Sequence, residues 1–172
     1  MGIASSGRTP YVIGGLRYAR GLGCATLGHT CNASSEMTGE CDILITTVVG
    51  PEVISGSTRM KSGTATKLVL NTLTTAAMVR LGKTYGNLMV DLRATNSKLV
   101  LRSERLVMTL TGLTQPSAAA LLKQANGEVK AAVVMHHRQV DYSTAVQLLL
   151  QADGQLRAVI GDVQHSRRAP LA

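Results

Sequence analysis

Between residues 50 and 67 the chain reads Gly50-Pro51-Glu52-Val53-Ile54-Ser55-Gly56-Ser57-Thr58-Arg59-Met60-Lys61-Ser62-Gly63-Thr64-Ala65-Thr66-Lys67, a lone carboxylate among hydroxyls, glycines and three basic side chains. Few structural needs call for that mixture between an apolar strand and an apolar helix, and it suits a polar ligand. The plainer alternatives are that Glu52 is a solvated loop acid and that Lys67 lays its stem along the helix edge. A second candidate is Ser5-Ser6-Gly7-Arg8-Thr9, between a strand end and a helix start, where unpaired N–H groups and the helix dipole attract a phosphate. Ser-Gly turns also join strands to helices with no ligand at all, and Arg8 either pairs with the anion or is solvated. The four histidines, His29, His136, His137 and His165, lack metal-ligand spacing to any Asp, Glu or Cys and read as solvated or core residues, the adjacent pair pointing to different sides of a helix. Asp91 with Asn87 and Asn96 reads as polar glue between helices.

The elements that hold these residues follow from hydrophobic period and punctuation. Met1 to Ala4 reads as a short strand. Thr9-Pro10 starts a helix, because Thr suits the N-cap and Pro the first helical position. Val12, Ile13, Leu16 and Ala19 give that helix a 3.6-residue apolar face to about Arg20, and Gly21 and Gly23 end it. Residues 24–29 and 41–49 read as further strands. Strand, helix, strand, loop, strand is an α/β pattern, and short apolar runs flanked by Gly suit a parallel sheet. A sheet whose first strand is so short needs neighbours on its other side. Everything downstream reads as helical. Ser57 to Leu81 is apolar on nearly all sides, as in a buried central helix. Leu88 to Leu110 reads as a second long helix, and shorter helical patterns follow at 116–125, 128–138 and 142–151. The expected division is 1–112 as the α/β part with its long helices, 113–160 as a small helical subdomain, and 161–172 as a frayed tail.

Composition narrows the function. With 172 residues, 45% hydrophobic and 16% charged, the chain is long and apolar enough to bury a core, which excludes a disordered chain or a small disulfide scaffold. It has no Phe or Trp and four Tyr, so stacking platforms for single-stranded nucleic acid are nearly excluded. Net charge is +8, and Arg8, Arg17 and Arg20 are balanced by Glu36, Glu40 and Asp42, so the surplus lies downstream of residue 50. No run of five or six like charges supports a nucleic-acid partner, and a solvated positive face is the plain alternative. Three cysteines without C-x-x-C spacing, no export signal and no apolar run near ~18 residues imply a reduced, cytoplasmic setting and no membrane partner.

The segment Gly50 to Asn71, read with Gly86-Asn87-Leu88-Met89-Val90-Asp91-Leu92-Arg93-Ala94-Thr95-Asn96-Ser97-Lys98-Leu99, resembles the N-acetylmuramic acid 6-phosphate etherases and the related glucokinase regulatory proteins, which are sugar-isomerase (SIS) domain proteins. Gly2 to Ile13, Cys31-Asn32 and the helical pattern 142–160 are similar to the etherases too, so the likeness covers residues 2 to about 160. The resemblance implies a partial SIS-type (flavodoxin-like) α/β fold and a cytoplasmic, cofactor-free lyase of cell-wall recycling. Such a lyase cleaves the lactyl ether of N-acetylmuramic acid 6-phosphate to N-acetylglucosamine 6-phosphate and D-lactate. A base takes the C2 proton, an acid assists departure of lactate from C3, and water adds back. Carried over by position, Ser6, Gly7 and Thr9 match the family's second phosphate loop, Glu52 the signature Glu facing the sugar, and Lys67 a Lys that reaches the ligand of a neighbouring copy in a homodimer. The substrate-binding set is therefore Ser5, Ser6, Gly7, Thr9, Glu52, Ser57 and Lys67. The family's first phosphate loop and its acid and base Glu precede the position matched by Met1, which implies a C-terminal portion and an upstream fragment as partner. Turnover, phosphosugar binding without turnover, and an inactive remnant are the three outcomes this leaves open.

Overall fold

The short apolar runs of the first half pair in parallel, as their Gly-flanked pattern predicts. In a computed structural model that describes residues 1–92 and 94–163, strands β1 (Gly2–Ile3), β2 (Leu27–Thr30) and β3 (Ile43–Thr46) form one sheet in the order β1-β2-β3. Gly2 sits opposite Gly28 and Gly28 opposite Leu44, while Ile3, His29 and Ile45 share the next row. Alternation therefore sends the two glycines to one face and His29 to the other. The glycine face carries helix α1 (Pro10–Gly21) over Gly2, where an added Cβ would lie 2.8 Å from Val12 Cγ1, while a Cβ on Gly28 would lie 2.8 Å from Cys41 Sγ, outside that helix. Ala4, Ile13, Leu16, Met37 and Cys41 fill this small core. Arg17 grips Glu40 through two hydrogen bonds of 2.7 and 2.5 Å, closing the far end of α1 onto the loop before β3.

Helix α2 spans Lys61–Arg80, starting four residues later than the apolar pattern suggests, and it is not the buried central helix expected. Ser62 is its one buried residue, and Leu68, Met78 and Val79 are about half exposed or more. A helix apolar on all sides needs packing partners on all sides, and a sheet of three short strands cannot provide them.

The second correction falls at residues 84–96. These are not the start of a long helix but an antiparallel hairpin, β4 (Thr84–Tyr85) with β5 (Leu88–Met89), followed by an irregular stretch. Gly86 takes a φ of +57°, which fits a tight two-residue turn with Gly first, and Tyr85, Leu88 and Val90 alternate into the core. The helix α3 begins only at Ser97 and runs to Thr111, with the Asn96 side chain accepting from the Leu99 amide at 2.9 Å. Helices α4 (Gln115–Gln124), α5 (Val129–Arg138), α6 (Tyr142–Gln151) and α7 (Leu156–Ile160) follow, close to the expected positions.

Helices α4 to α7 contain a repeat. Leu121-Leu122-Lys123-Gln124-Ala125-Asn126-Gly127-Glu128-Val129 parallels Leu148-Leu149-Leu150-Gln151-Ala152-Asp153-Gly154-Gln155-Leu156. In each copy an Asn or Asp and then a Gly take positive φ, 52° and 79° in the first, 50° and 72° in the second. Leu122 and Val129 in one copy and Leu149 and Leu156 in the other are buried in the same core. Asp91 lies between hairpin and helices, paired with Lys83 and with Lys130 at 3.5 Å, rather than joining Asn87 and Asn96. The His136 and His137 rings meet edge to face, 5.2 Å apart, instead of pointing to different sides. Packing divides the chain into two compact units, residues 1–74 and 75–172. Of the expected tail, residues 164–172, including His165, lie outside the described residues. No helix among the described residues is long and apolar enough to cross a membrane.

Candidate functional site

In a parallel sheet all strands end at the same edge, and loops leaving that edge form the usual ligand crevice of open α/β sheets. Here the loops are residues 4–9 after β1, 31–42 after β2 and 47–60 after β3, which carry Ser5, Ser6, Gly7, Thr9, Glu52 and Ser57. All of them lie in the first compact unit.

The loop after β1 is fastened by its carbonyls. The Cys31 amide and the Thr30 hydroxyl donate to Ser5 O at 3.0 and 3.2 Å, and the Asn32 side-chain amide donates to Ser6 O at 3.0 Å. Gly7 has φ +67°, and a Cβ there would lie 2.1 Å from Ser35 Oγ and 2.9 Å from Thr30 Oγ1, so both conformation and space require glycine. Thr9 precedes α1 in extended conformation with no side-chain bond to the helix, and the first turn holds no acid. That leaves its dipole uncompensated by protein, the condition that favours an anion. Arg8 lies 3.8 Å from Glu36 with both side chains nearly two-thirds exposed, which is a weak surface pair.

Glu52 is not a free loop acid. Its two carboxylate oxygens accept from the Lys61 amide at 2.9 Å and the Ser62 amide at 3.0 Å, so it caps α2 from nine residues upstream. Those donors, the Ser62 amide first, hold its carboxyl below the ordinary glutamate range, keeping it ionised. Lys61 Nζ donates to Pro51 O at 2.9 Å, tying down the start of the same loop. Ser57 is half-buried, its amide donating to Ile54 O at 3.0 Å. Lys67 is exposed on α2, and its ammonium has no partner among the described residues.

Cys31 joins the two loops. Its amide holds Ser5 O, and its thiol is 3.9 Å from Ser62 O and 3.6 Å from Thr47 Oγ1. Residue types alone do not single out Cys31 or Thr47. The signal that could have found them is their position, first past β2 and first past β3 at the carboxyl edge. Of the other acids of this unit, Glu40 is engaged with Arg17 and Asp42 with the Thr26 amide and hydroxyl at 2.7 and 2.8 Å, whereas Glu36 has only its weak surface pair with Arg8. No group of three His, Cys, Asp or Glu side chains converges as metal ligands among the described residues.

A parallel α/β sheet with glycine- and hydroxyl-bearing loops and helix N-termini at its carboxyl edge is the layout of a small-molecule-binding α/β protein. No family model matches the chain, but close relatives exist. An N-acetylmuramic acid 6-phosphate etherase of Rhodopirellula baltica is 54% identical over 160 residues, 93% of this chain and 53% of that protein. "N-acetylmuramic acid 6-phosphate etherase 2" of Vibrio cholerae is 54% identical over 157 residues, 91% and 51% of the two chains. One from Clostridium botulinum is 52% identical over 163 residues, 95% and 54%. The chain belongs to the family of the N-acetylmuramic acid 6-phosphate etherases and spans about half the length of the curated relatives it matches.

Proposed function

We propose that this chain is the sugar-phosphate-holding part of a cytoplasmic N-acetylmuramic acid 6-phosphate etherase with an SIS-type domain in its first 112 residues and a helical subdomain over 113–160. The phosphate sits at the α1 N-terminus against Ser5, Ser6, Gly7 and Thr9. The sugar faces Glu52 and Ser57. Lys67 extends to the ligand of a second copy in a homodimer. The observation that carries this reading is the convergence of the two candidate loops at one sheet edge, tied through Cys31, beside an α1 N-terminus that no acid or side-chain cap neutralises.

Ether cleavage needs a group that takes the C2 proton and one that protonates departing lactate. Glu52 is poorly suited to either step, since the α2 amides hold it ionised, leaving it no proton to give, and make it a weak base. The acid and base are therefore supplied by an upstream fragment of the enzyme, docked along the free edge of β1. A second reading, phosphosugar binding without turnover, is favoured by the engagement of Glu40, Asp42 and Glu52 in pairs and caps.

The test is to offer the purified chain N-acetylmuramic acid 6-phosphate and N-acetylglucosamine 6-phosphate. A rise in melting temperature with either sugar phosphate, lost in Ser6→Ala/Thr9→Ala, supports the site, because a ligand of the native state stabilises it by about 2.7 kcal/mol at a hundredfold excess over Kd. D-lactate release by the chain alone selects turnover, and release only after adding the upstream fragment selects complementation. Absence of any shift removes the proposal.

A further inference from the structure

Behind the edge that carries the candidate loops, a histidine is wholly enclosed. His29 is 0% exposed in the middle strand, on the face opposite α1, in a row with Ile3 and Ile45. Its Nε2 lies 3.1 Å from Thr47 Oγ1, and its Nδ1 is buried with no partner. An apolar residue at this position would avoid the cost of the unmatched nitrogen, so packing alone does not account for an imidazole here. Burial pushes its pKa below the ordinary histidine value and keeps the ring neutral.

The hydrogen-bond network assigns the direction of the chain that leaves this ring. With Nε2 protonated, the bare Nδ1 lone pair is the unmatched group, which is less costly to bury than an unmatched N–H. Nε2–H then donates to Thr47 Oγ1, the Thr47 hydroxyl donates to Cys31 Sγ at 3.6 Å, and the Cys31 thiol donates to Ser62 O at 3.9 Å. His29 and Cys31 are two residues apart in β2 and its extension, as Ile45 and Thr47 are along β3, so all four side chains lie on one face. Cys31 also donates its amide to Ser5 O, and Ser62 donates its amide to Glu52. A single path therefore runs from the loop at the α1 N-terminus through Cys31 to the cap of α2, with Thr47 and His29 bracing it from the sheet interior.

We propose that His29, Thr47 and Cys31 form a positioning relay that sets the Ser5–Thr9 loop and the Glu52-capped first turn of α2 in register with each other, so that the two ends of a sugar phosphate are held together. None of the three touches the ligand. Their effect on affinity rests on the function proposed above, whereas their coupling of the two loops does not.

The experiment uses Thr47→Val, which keeps the shape of the side chain and removes the hydroxyl, with Thr47→Ser as the conservative rescue. Hydrogen exchange is followed at residues 5–9 and 61–66 in the full chain, with residues 75–163 as the reference. The relay requires faster exchange in both segments in Thr47→Val, unchanged exchange in the reference, and recovery in Thr47→Ser. Acceleration in one segment only, or an equal effect in Thr47→Ser, overturns it. Binding of N-acetylglucosamine 6-phosphate is then measured by calorimetry. A loss of at least tenfold in Thr47→Val with recovery to within threefold in Thr47→Ser supports the relay, and unchanged affinity in Thr47→Val overturns its role in the site. If the unsubstituted chain binds no sugar phosphate, the proposed function fails and the exchange result alone decides the relay. Labelling by N-ethylmaleimide gives an internal check, since Cys24 is exposed and Cys31 half-buried: Thr47→Val raises the labelling rate of Cys31 relative to Cys24, and an unchanged ratio counts against the relay.

Discussion

Replacing Gly7 by alanine separates a built loop from an ordinary turn. Gly7 stands at φ +67°, and the added Cβ would lie 2.1 Å from Ser35 Oγ and 2.7 Å from Ser35 Cβ. Left-handed backbone costs an L-residue about 1–2 kcal/mol. Making room requires Ser35 to move, and its hydroxyl both donates to Gly7 O at 3.3 Å and accepts from the Met37 amide at 3.1 Å. Overpacking of that kind costs about 1–3 kcal/mol, so the expected loss is about 2–5 kcal/mol. Gly14 and Gly15 are the controls. Both lie inside α1 with nothing within 4 Å of an added Cβ, so Gly14→Ala and Gly15→Ala each gain about 0.5–1 kcal/mol. Urea unfolding read by hydrogen-exchange mass spectrometry follows residues 1–74 separately from 75–172. A Gly7→Ala protein within about 0.5 kcal/mol of the parent, with the controls behaving as expected, refutes the geometry given for the loop, because such a small change is what an unconstrained surface position shows.

Stability should rise with pH across the histidine range, because His29 and His136 are both held below their ordinary value and the unfolded chain binds more protons there. The stability is present above about pH 6.5 and is lost as pH falls from there; His29→Leu should flatten that slope in urea midpoints, and an unaltered slope refutes the burial argument. Glu52 has the carboxylate sign, its stability present above the ordinary glutamate range and lost as pH falls through its depressed folded value. Glu52→Gln should therefore lower the melting temperature near neutrality and converge with the parent in acid, and equal loss at both pH values would contradict the cap. Lys130, with a side chain 15% exposed, donates to Gly82 O and Gly154 O and pairs with Asp91. Lys130→Met strands those acceptors and should cost about 2–3 kcal/mol in the second unit, measurable by urea unfolding; a loss below about 0.5 kcal/mol would contradict it. Asn96→Ala removes the α3 cap and should cost about 1 kcal/mol, with faster exchange at Ser97 to Val100 as the local sign.

Local rules carried far where they acted alone. Thr9-Pro10 started α1, and the helices near residues 116–151 followed from their helical patterns. They failed at Leu88 to Asn96, where Gly86-Asn87 makes a hairpin turn and Leu88 and Val90 alternate as strand residues do, although the same apolar residues also satisfy a helical window. The α2 pattern was legible as a helix but not as an exposed one, since sequence reports which sides are apolar and not what is present to cover them.

By itself the sequence determined the α/β class, the residues of both candidate loops and, through its identity with the etherases, the family. Only the tertiary structure decided what those residues do to one another. Glu52 became a helix cap and not a free acid because its oxygens reach amides nine and ten residues on. Cys31 became the joint between the loops because parallel pairing brings the ends of β1, β2 and β3 to one edge. Both depend on hydrogen bonds closed by the folding of distant segments, and residue type and spacing carry no record of where such bonds close.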